Sequence, residues 1–241
     1  MTLISDDASI PGWKKTKIFL NNNTNVHIET GADGTGNLMN AENLKDCYLK
    51  YHGQMELVTG DGGFDFSIDF NSQEPVSAKL IFCQIAFAIA VQKKGGCFII
   101  KFFDIFTEMS VDMIFLLSQL YEYIHVVKPN TSRYANSEKY LVCKNFKLDN
   151  SEFIIKHFYK IFQNFHKEDV MLRLFTSEIP IIFTTAIEEI NAIIGQQQIE
   201  SISATLNLID NNKFDRLENM KKNNIQKCIN WCIKHRLPYN K

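Results

Sequence analysis

The sequence predicts an α/β protein, a wound sheet of strands and helices followed by a helical C-terminal extension. Two observations carry that prediction. Between residues 55 and 145, short apolar runs alternate with helix-length segments, and Gly, Asp and Asn punctuate the joins. Beyond about Leu148 the alternation stops, and three helix-length segments follow with no clear strand between them. The division expected from this change is 1–147 for the sheet-bearing domain and 148–241 for the helical extension. Composition agrees, since 45% of the residues are hydrophobic, 22% are charged and 19 are Phe, enough for a sizeable core.

In chain order, Met1–Ile4 reads as a short strand-like start, Ser5–Gly12 as a polar break and Asn21–Asn25 as a turn-rich stretch. Thr30–Asn37 is a loop rich in Gly and Asp. Ala41–Leu49 has the pattern of a short helix capped by Asn40. Met55–Thr59 reads as a buried strand that runs into Gly60-Asp61-Gly62-Gly63. Gln73–Lys93 is a long, nearly continuous apolar helix, stopped by Gly95-Gly96. Cys97–Phe103 is an apolar strand interrupted by Lys101, Thr107–Tyr121 the next helix and Ile124–Lys128 the next strand. A polar loop, Ser132–Lys139, leads to a final strand, Tyr140–Asn145. Glu152–Phe165, Ile182–Ile194 and Arg216–His235 are the helices of the extension.

The formal net charge is −1, which excludes a global basic field; contact with a nucleic acid would need a local patch. One candidate follows Glu218, where Lys221, Lys222, Lys227, Lys234, Arg236 and Lys241 are joined by no acidic residue. It reads either as the solvated face of a packed helix or as a phosphate-binding surface. The six cysteines, Cys47, Cys83, Cys97, Cys143, Cys228 and Cys232, include no CxxC pair, so no metal site is expected, and buried thiols in an intracellular compartment are. The longest apolar stretches, Ile81–Val91 and Met113–Leu117, fall short of the roughly 20 residues that span a bilayer, and no membrane segment is expected.

Three residues invite chemistry when taken together. Burying a lysine disfavours its charged form, so Lys101 in an apolar strand either pairs with a carboxylate or shifts its pKa, which suits a general base or an electrostatic clamp. The bland alternative is a strand end from which the lysine reaches water. Asp61 lies in a tight turn after one strand, and Glu138 in a polar loop before another. Wound sheets bind ligands at the carboxyl ends of their strands, near which Asp61 and Lys101 fall. The glycines of Thr30–Asn37 have the wrong spacing and setting for a phosphate loop.

Val58-Thr59-Gly60-Asp61-Gly62-Gly63-Phe64 resembles the Asp-Gly-Gly motif of the FtsJ-like RNA 2′-O-methyltransferases, above all the group acting on the mRNA cap. Gly95-Gly96-Cys97-Phe98-Ile99-Ile100-Lys101-Phe102-Phe103-Asp104 resembles that group's lysine-bearing strand. Residues 128–140, with Lys128-Pro129, Ser132-Arg133 and Ala135-Asn136-Ser137-Glu138-Lys139-Tyr140, resemble its Lys-Pro…Ser-Arg…Ala-Asn-Ser-Glu-Arg/Lys-Tyr segment. Gln84, on the helix between the first two motifs, fits as well. The resemblance covers roughly residues 1–147 and implies a Rossmann-like methyltransferase sheet.

It also implies transfer of a methyl group from S-adenosylmethionine to a ribose 2′-hydroxyl of RNA, most specifically at the mRNA 5′ cap. Of the family's Lys-Asp-Lys-Glu set, Asp61, Lys101 and Glu138 match, with Lys101 as the base toward the 2′-hydroxyl. The resemblance places Asn37, Asp61 and Gly62 at the cofactor, and Arg133, Asn136 and Ser137 at the RNA. The chain departs from the family in lacking the sheet's first strand, its Gly-rich loop and the first lysine, so the isolated chain is expected to bind S-adenosylmethionine poorly. A non-catalytic RNA-binding or partner subunit and a ribosomal-RNA 2′-O-methyltransferase are the alternatives. The wording, rich in Phe, Ile and Asn, resembles that of large cytoplasmic DNA viruses, which would place the protein in host cytoplasm or the virion.

Overall fold

The computed structural model describes residues 1–5, 10, 12–13, 16–64, 72–165, 171–211 and 214–240, the side chains of 211 and 214–216 excepted. The expected Ser5–Gly12 break lies largely outside these residues. The elements are α1 (Lys17–Asn22), α2 (Ala41–Tyr51), β1 (Met55–Gly60), α3 (Gln73–Val91), β2 (Gln92–Phe102) and α4 (Glu108–Leu120). They continue with β3 (Tyr121–Val127), β4 (Lys139–Phe146), α5 (Glu152–Gln163), α6 (Ile181–Asn211) and α7 (Phe214–Lys234). The chain falls into two compact units. The first holds 1–133 and 137–192; the second holds 134–136 and 193–241.

The strands of the first unit form one mixed sheet in the order β1-β2-β4-β3. β1 and β2 run parallel, while β4 is antiparallel to both β2 and β3. The α/β class and the helical tail expected from the sequence are what the structure shows. Strand alternation divides the sheet into two unlike faces. On one face Phe98, Ile100, Phe102, Leu141 and Cys143 are fully buried. On the other, Cys97, Ile99, Lys101, Tyr140 and Val142 are only half-buried.

The buried face is covered by α3 and α4. α3 is buried on nearly every side, from Ile81 to Val91, because it lies between the sheet on one side and α2 and α5 on the other. Its apolar length would by composition suffice to cross a bilayer, but most of the helix is buried inside the fold. α5 is amphipathic and turns Ile155, Phe158 and Phe162 inward, where the Phe158 ring meets Phe82 edge-on at 5.1 Å. α2 begins at Asn40, whose side-chain oxygen accepts from the Glu42 N–H at 2.8 Å, as expected of that cap.

Several boundaries differ from the sequence reading. Met1–Ile4 forms no strand; Ile4 N–H donates to Thr35 O at 2.8 Å and the segment is otherwise irregular. The one-and-a-half turns of α1 end where Asn21–Asn25 had suggested only a turn. α3 stops at Val91, before Gly95-Gly96, and those glycines lie within β2 in an irregularity of register. Met55 pairs with Gln92, but Leu57 already pairs with Cys97. Gly95 has φ +77°, a conformation costly for any side-chain-bearing residue. The Gln92 amide secures the irregularity by donating to Met55 O and Cys97 O and accepting from Tyr121 OH. β3 starts at Tyr121, three residues before the expected start, and α6 runs on to Asn211. Cys47, Cys83 and Cys143 are buried and Cys97 and Cys232 half-buried, but Cys228 is exposed on α7, contrary to the expectation of buried thiols.

In the second unit, α7 carries Lys221, Lys222, Lys227 and Lys234 on a helix whose apolar residues are also open. Leu217, Met220, Ile225, Trp231 and Ile233 are all exposed. The helix-spaced apolar stripe Leu217, Met220, Ile225, Cys228, Ile229 and Cys232 is present as a sequence pattern, yet among the described residues of this unit it is not buried.

Candidate active site

Three chain segments end at one edge of the sheet. Asp61 follows the carboxyl end of β1, Lys101 lies one residue before the end of β2, and Glu138 immediately precedes β4, which runs the opposite way. Register aligns them, because Gly60 pairs with Ile100 and Lys101 with Tyr140. The strand alternation sends Lys101 and Tyr140 to the half-buried face together.

Lys101 Nζ donates to the Asp61 carboxylate at 2.7 Å and to the Asp61 carbonyl oxygen at 3.2 Å. The lysine side chain is 16% exposed, while that of Asp61 is 71% exposed. Each of the two readings of Lys101 left open by the sequence meets part of this geometry. It is paired with a carboxylate, on the less-packed face and at a strand end. Glu138 reaches the cluster through Tyr140, whose hydroxyl donates to Glu138 Oε1 at 2.9 Å. Burial first, and then bonding to Glu138 and the charge of Asp61, push the Tyr140 phenol well above its usual range. The order across the edge is therefore Asp61, Lys101, Tyr140, Glu138. Tyr140 was not singled out from the sequence; its place two residues after Glu138, at the start of a strand, was the available signal.

Gln84 fixes the Asp61 turn from below. Its side-chain oxygen accepts from Gly62 N–H at 2.7 Å, and its amide nitrogen donates back to Leu80 O in α3. A Cβ on Gly62 would sit 2.9 Å from that oxygen, so the glycine is needed for the close approach. Ser137 Oγ donates to Gln73 Oε1 at 3.0 Å, joining the loop before β4 to the start of α3. Arg133 is exposed in the same loop. Asn136 belongs to the short 134–136 segment that groups with the second unit.

The Asn37 loop is organised by α2 and not by the strand ends. Asp33 accepts from Thr35 N–H and Oγ1 and from the Asn40 and Asn43 amides, which together hold its carboxyl down to about 2. Asn43, fully buried, also donates to Asn37 O at 3.0 Å. Asn37 Oδ1 accepts from Met39 N–H at 2.9 Å. Gly36 has φ +69°, and a Cβ there would collide with Thr2 O.

Of the three residues expected at a cofactor, Asp61 offers an exposed carboxylate, a fitting neighbour for a cationic methyl donor. The Gly62 N–H is engaged by Gln84 and the Asn37 side-chain oxygen by Met39. Among the described residues no cluster of three or more His, Cys, Asp or Glu has metal-binding geometry.

Residues 13–146 match the family model described as FtsJ-like methyltransferase. The chain is 35% identical over 184 residues to cap-specific mRNA (nucleoside-2′-O-)-methyltransferase 1 of Trypanosoma brucei brucei, covering 73% of this chain and 49% of that protein. It is 42% identical over 118 residues to methyltransferase 1 of Trypanosoma cruzi, covering 48% of this chain and 33% of that protein. It is 31% identical over 201 residues to methyltransferase 2 of Pongo abelii, covering 82% of this chain and 26% of that protein. The last match is longer than the 147 residues that carry the motif resemblance. The chain thus spans about half the length of the first relative and less of the other two. A solved structure of a putative ribosomal RNA methyltransferase from Plasmodium falciparum is similar at a TM-score of 0.36 and 21% identity. It covers 50% of this chain and 62% of that one, an overlap too slight to carry the assignment.

Proposed function

The chain belongs to the FtsJ-like methyltransferase family, and from that premise we propose that it methylates a ribose 2′-hydroxyl of RNA at the mRNA 5′ cap. The observation that carries this reading is the Asp61–Lys101–Tyr140–Glu138 row across three strand ends. The cap as the target is supported by the relatives, which are cap-specific mRNA (nucleoside-2′-O-)-methyltransferases.

A 2′-hydroxyl is a weak nucleophile until its proton is held or taken by a positioned group, and methyl transfer requires collinear alignment. S-adenosylmethionine, when bound, supplies an electrophilic methyl carbon. Asp61, beside the Gly62 turn, is the residue that would hold the donor's cationic part. Lys101 Nζ is the group for the 2′-hydroxyl. With two of its protons engaged by the Asp61 carboxylate and carbonyl oxygens, the third is the one that would donate to the hydroxyl oxygen and orient it. As the free amine it takes the proton. Tyr140 and Glu138 hold the far side of the lysine's strand in place. Arg133 and Ser137, in the loop beside this edge, are the side chains proposed to meet the RNA backbone, with Asn136.

The test is transfer of labelled methyl from S-adenosylmethionine by the native full-length protein to capped and uncapped RNA, followed by nuclease mapping of the modified ribose. Cap-dependent 2′-O-methylation, lost in Lys101→Met, is expected. Methylation of a base, or no transfer at all, overturns the reading. Equal transfer to uncapped RNA overturns only the choice of the cap.

A further inference from the structure

A second lysine stands at the same edge on the other face of the sheet. Lys139 is the first residue of β4 and pairs with Phe102, the last residue of β2, so its side chain points into the core beneath the active-site row. It is only 3% exposed. Lysine is almost never buried to this degree without partners, because removing the ammonium from water is costly.

Its partners lie just beyond the paired strands. Lys139 Nζ donates to Phe103 O at 2.5 Å, one residue past the last rung of the β2–β4 ladder, and lies 3.7 Å from Asp104 Oδ1. On the adjoining turn Lys128 Nζ donates to Glu138 O at 2.6 Å. Two ammonium groups therefore grip two main-chain carbonyls, one just after Lys101 and one on Glu138 itself. Asp104 balances them, with Glu74 nearby, held in turn by Thr107 N–H and Oγ1. The burial of these groups shows in their titration. Desolvation lowers the Lys139 and Lys128 amines, and burial raises the Asp104 carboxyl.

We propose that Lys139 is a positioning residue, whose buried ammonium ties the end of β2 to the start of β4 and so fixes the spacing of Lys101, Tyr140 and Glu138. An apolar residue would fill the same space but would leave the Phe103 carbonyl unheld, and the strand carrying Lys101 would fray from its last rung. The inference rests on the methyltransferase reading for its effect on activity, while its structural half stands apart from that reading.

The experiment uses the full-length protein and the variants Lys139→Met, Lys139→Arg and Asp104→Asn, with backbone amide exchange and methyl-transfer kinetics as readouts. Lys139→Met is expected to speed exchange over 101–103 and 138–140 by about tenfold or more, the effect of losing one charge-assisted hydrogen bond. Exchange in the centre of α3 should stay unchanged. Its kcat should fall by about 100-fold, as expected for slight misplacement of reacting groups, with KM held within about threefold. Lys139→Arg should restore both. Asp104→Asn leaves the lysine in place and should speed exchange in the same segments by a smaller factor. It reads the clamp even if Lys139→Met does not fold. Unchanged exchange in those segments in both Lys139→Met and Asp104→Asn overturns the proposal. So does a folded Lys139→Met with wild-type kcat, or an Arg variant that restores slow exchange without kcat. If the wild type transfers no methyl group yet the exchange pattern appears, the proposed function has failed and the clamp has not.

Discussion

The two faces of the sheet put lysine to opposite uses. On the covered face Lys139 is enclosed among helices and main-chain carbonyls, and its amine is driven down by loss of water. On the other face Lys101 stands on the next strand, one residue from the same edge, partly open and beside a solvated carboxylate. One position sacrifices hydration to hold geometry; the other keeps access to a ligand. The difference teaches that the chemistry is placed where packing is thinnest, while the rigidity that chemistry requires comes from the face behind it.

That contrast can be broken most severely at adjacent residues. Lys101→Met should lower methyl transfer by about two to four orders of magnitude, the range for losing a proton-transfer group. Its unfolding free energy should move by less than about 1 kcal/mol, since the residue lies at a partly open strand end. Ile100→Ala, one residue earlier and fully buried on the covered face, should cost about 2–5 kcal/mol in chemical denaturation and leave transfer per folded molecule largely intact. If Lys101→Met unfolds as readily as Ile100→Ala, the two faces are not distinct.

A subtler prediction concerns pH. Lys139 has its folded value lowered from 10.5, so the folded state binds fewer protons than the unfolded chain between that lowered value and 10.5. Stability from this group therefore rises with pH across that window and is lost as pH falls through the folded value. Lys139→Met should flatten the alkaline limb of a stability–pH curve; an unaltered limb would assign the slope to other groups. The smallest effect is expected at Tyr140→Phe. Removing the hydroxyl breaks the bond to Glu138 and should cost about 1 kcal/mol in stability and a several-fold loss in transfer. A loss as large as that of Lys101→Met would move Tyr140 from support to direct participation.

Much of this was legible before the structure. The alternation of apolar runs and helices gave the α/β class because each segment's periodicity is local. Asp61, Lys101 and Glu138 could be singled out because polar groups at strand ends stand out against Phe- and Ile-rich surroundings. Tyr140 and Lys139 could not. A tyrosine and a lysine at the start of a strand look like ordinary edge residues until pairing shows which face each occupies, and pairing is non-local. The end of α3 was misplaced for a related reason. Gly95-Gly96 has the composition of a helix stop, but the Gln92 amide, reaching to β1 and Tyr121, turns the preceding residues into strand instead. The exposure of Cys228 on α7 likewise depends on what packs against that helix, which its periodicity does not contain.

The irregular stretch between Gln92 and Cys97 has a consequence for how this sequence can change in length. Met55 to Leu57 advances two residues while Gln92 to Cys97 advances five, so three residues are taken up outside the ladder. Insertions or deletions there can be absorbed as slack. A single residue inserted between Cys97 and Lys101 cannot, because side chains alternate between faces. It would turn Lys101 inward against α3 and bring an isoleucine to the Asp61 edge. Related chains should therefore vary in length ahead of Cys97 and keep a fixed count from there to Lys101.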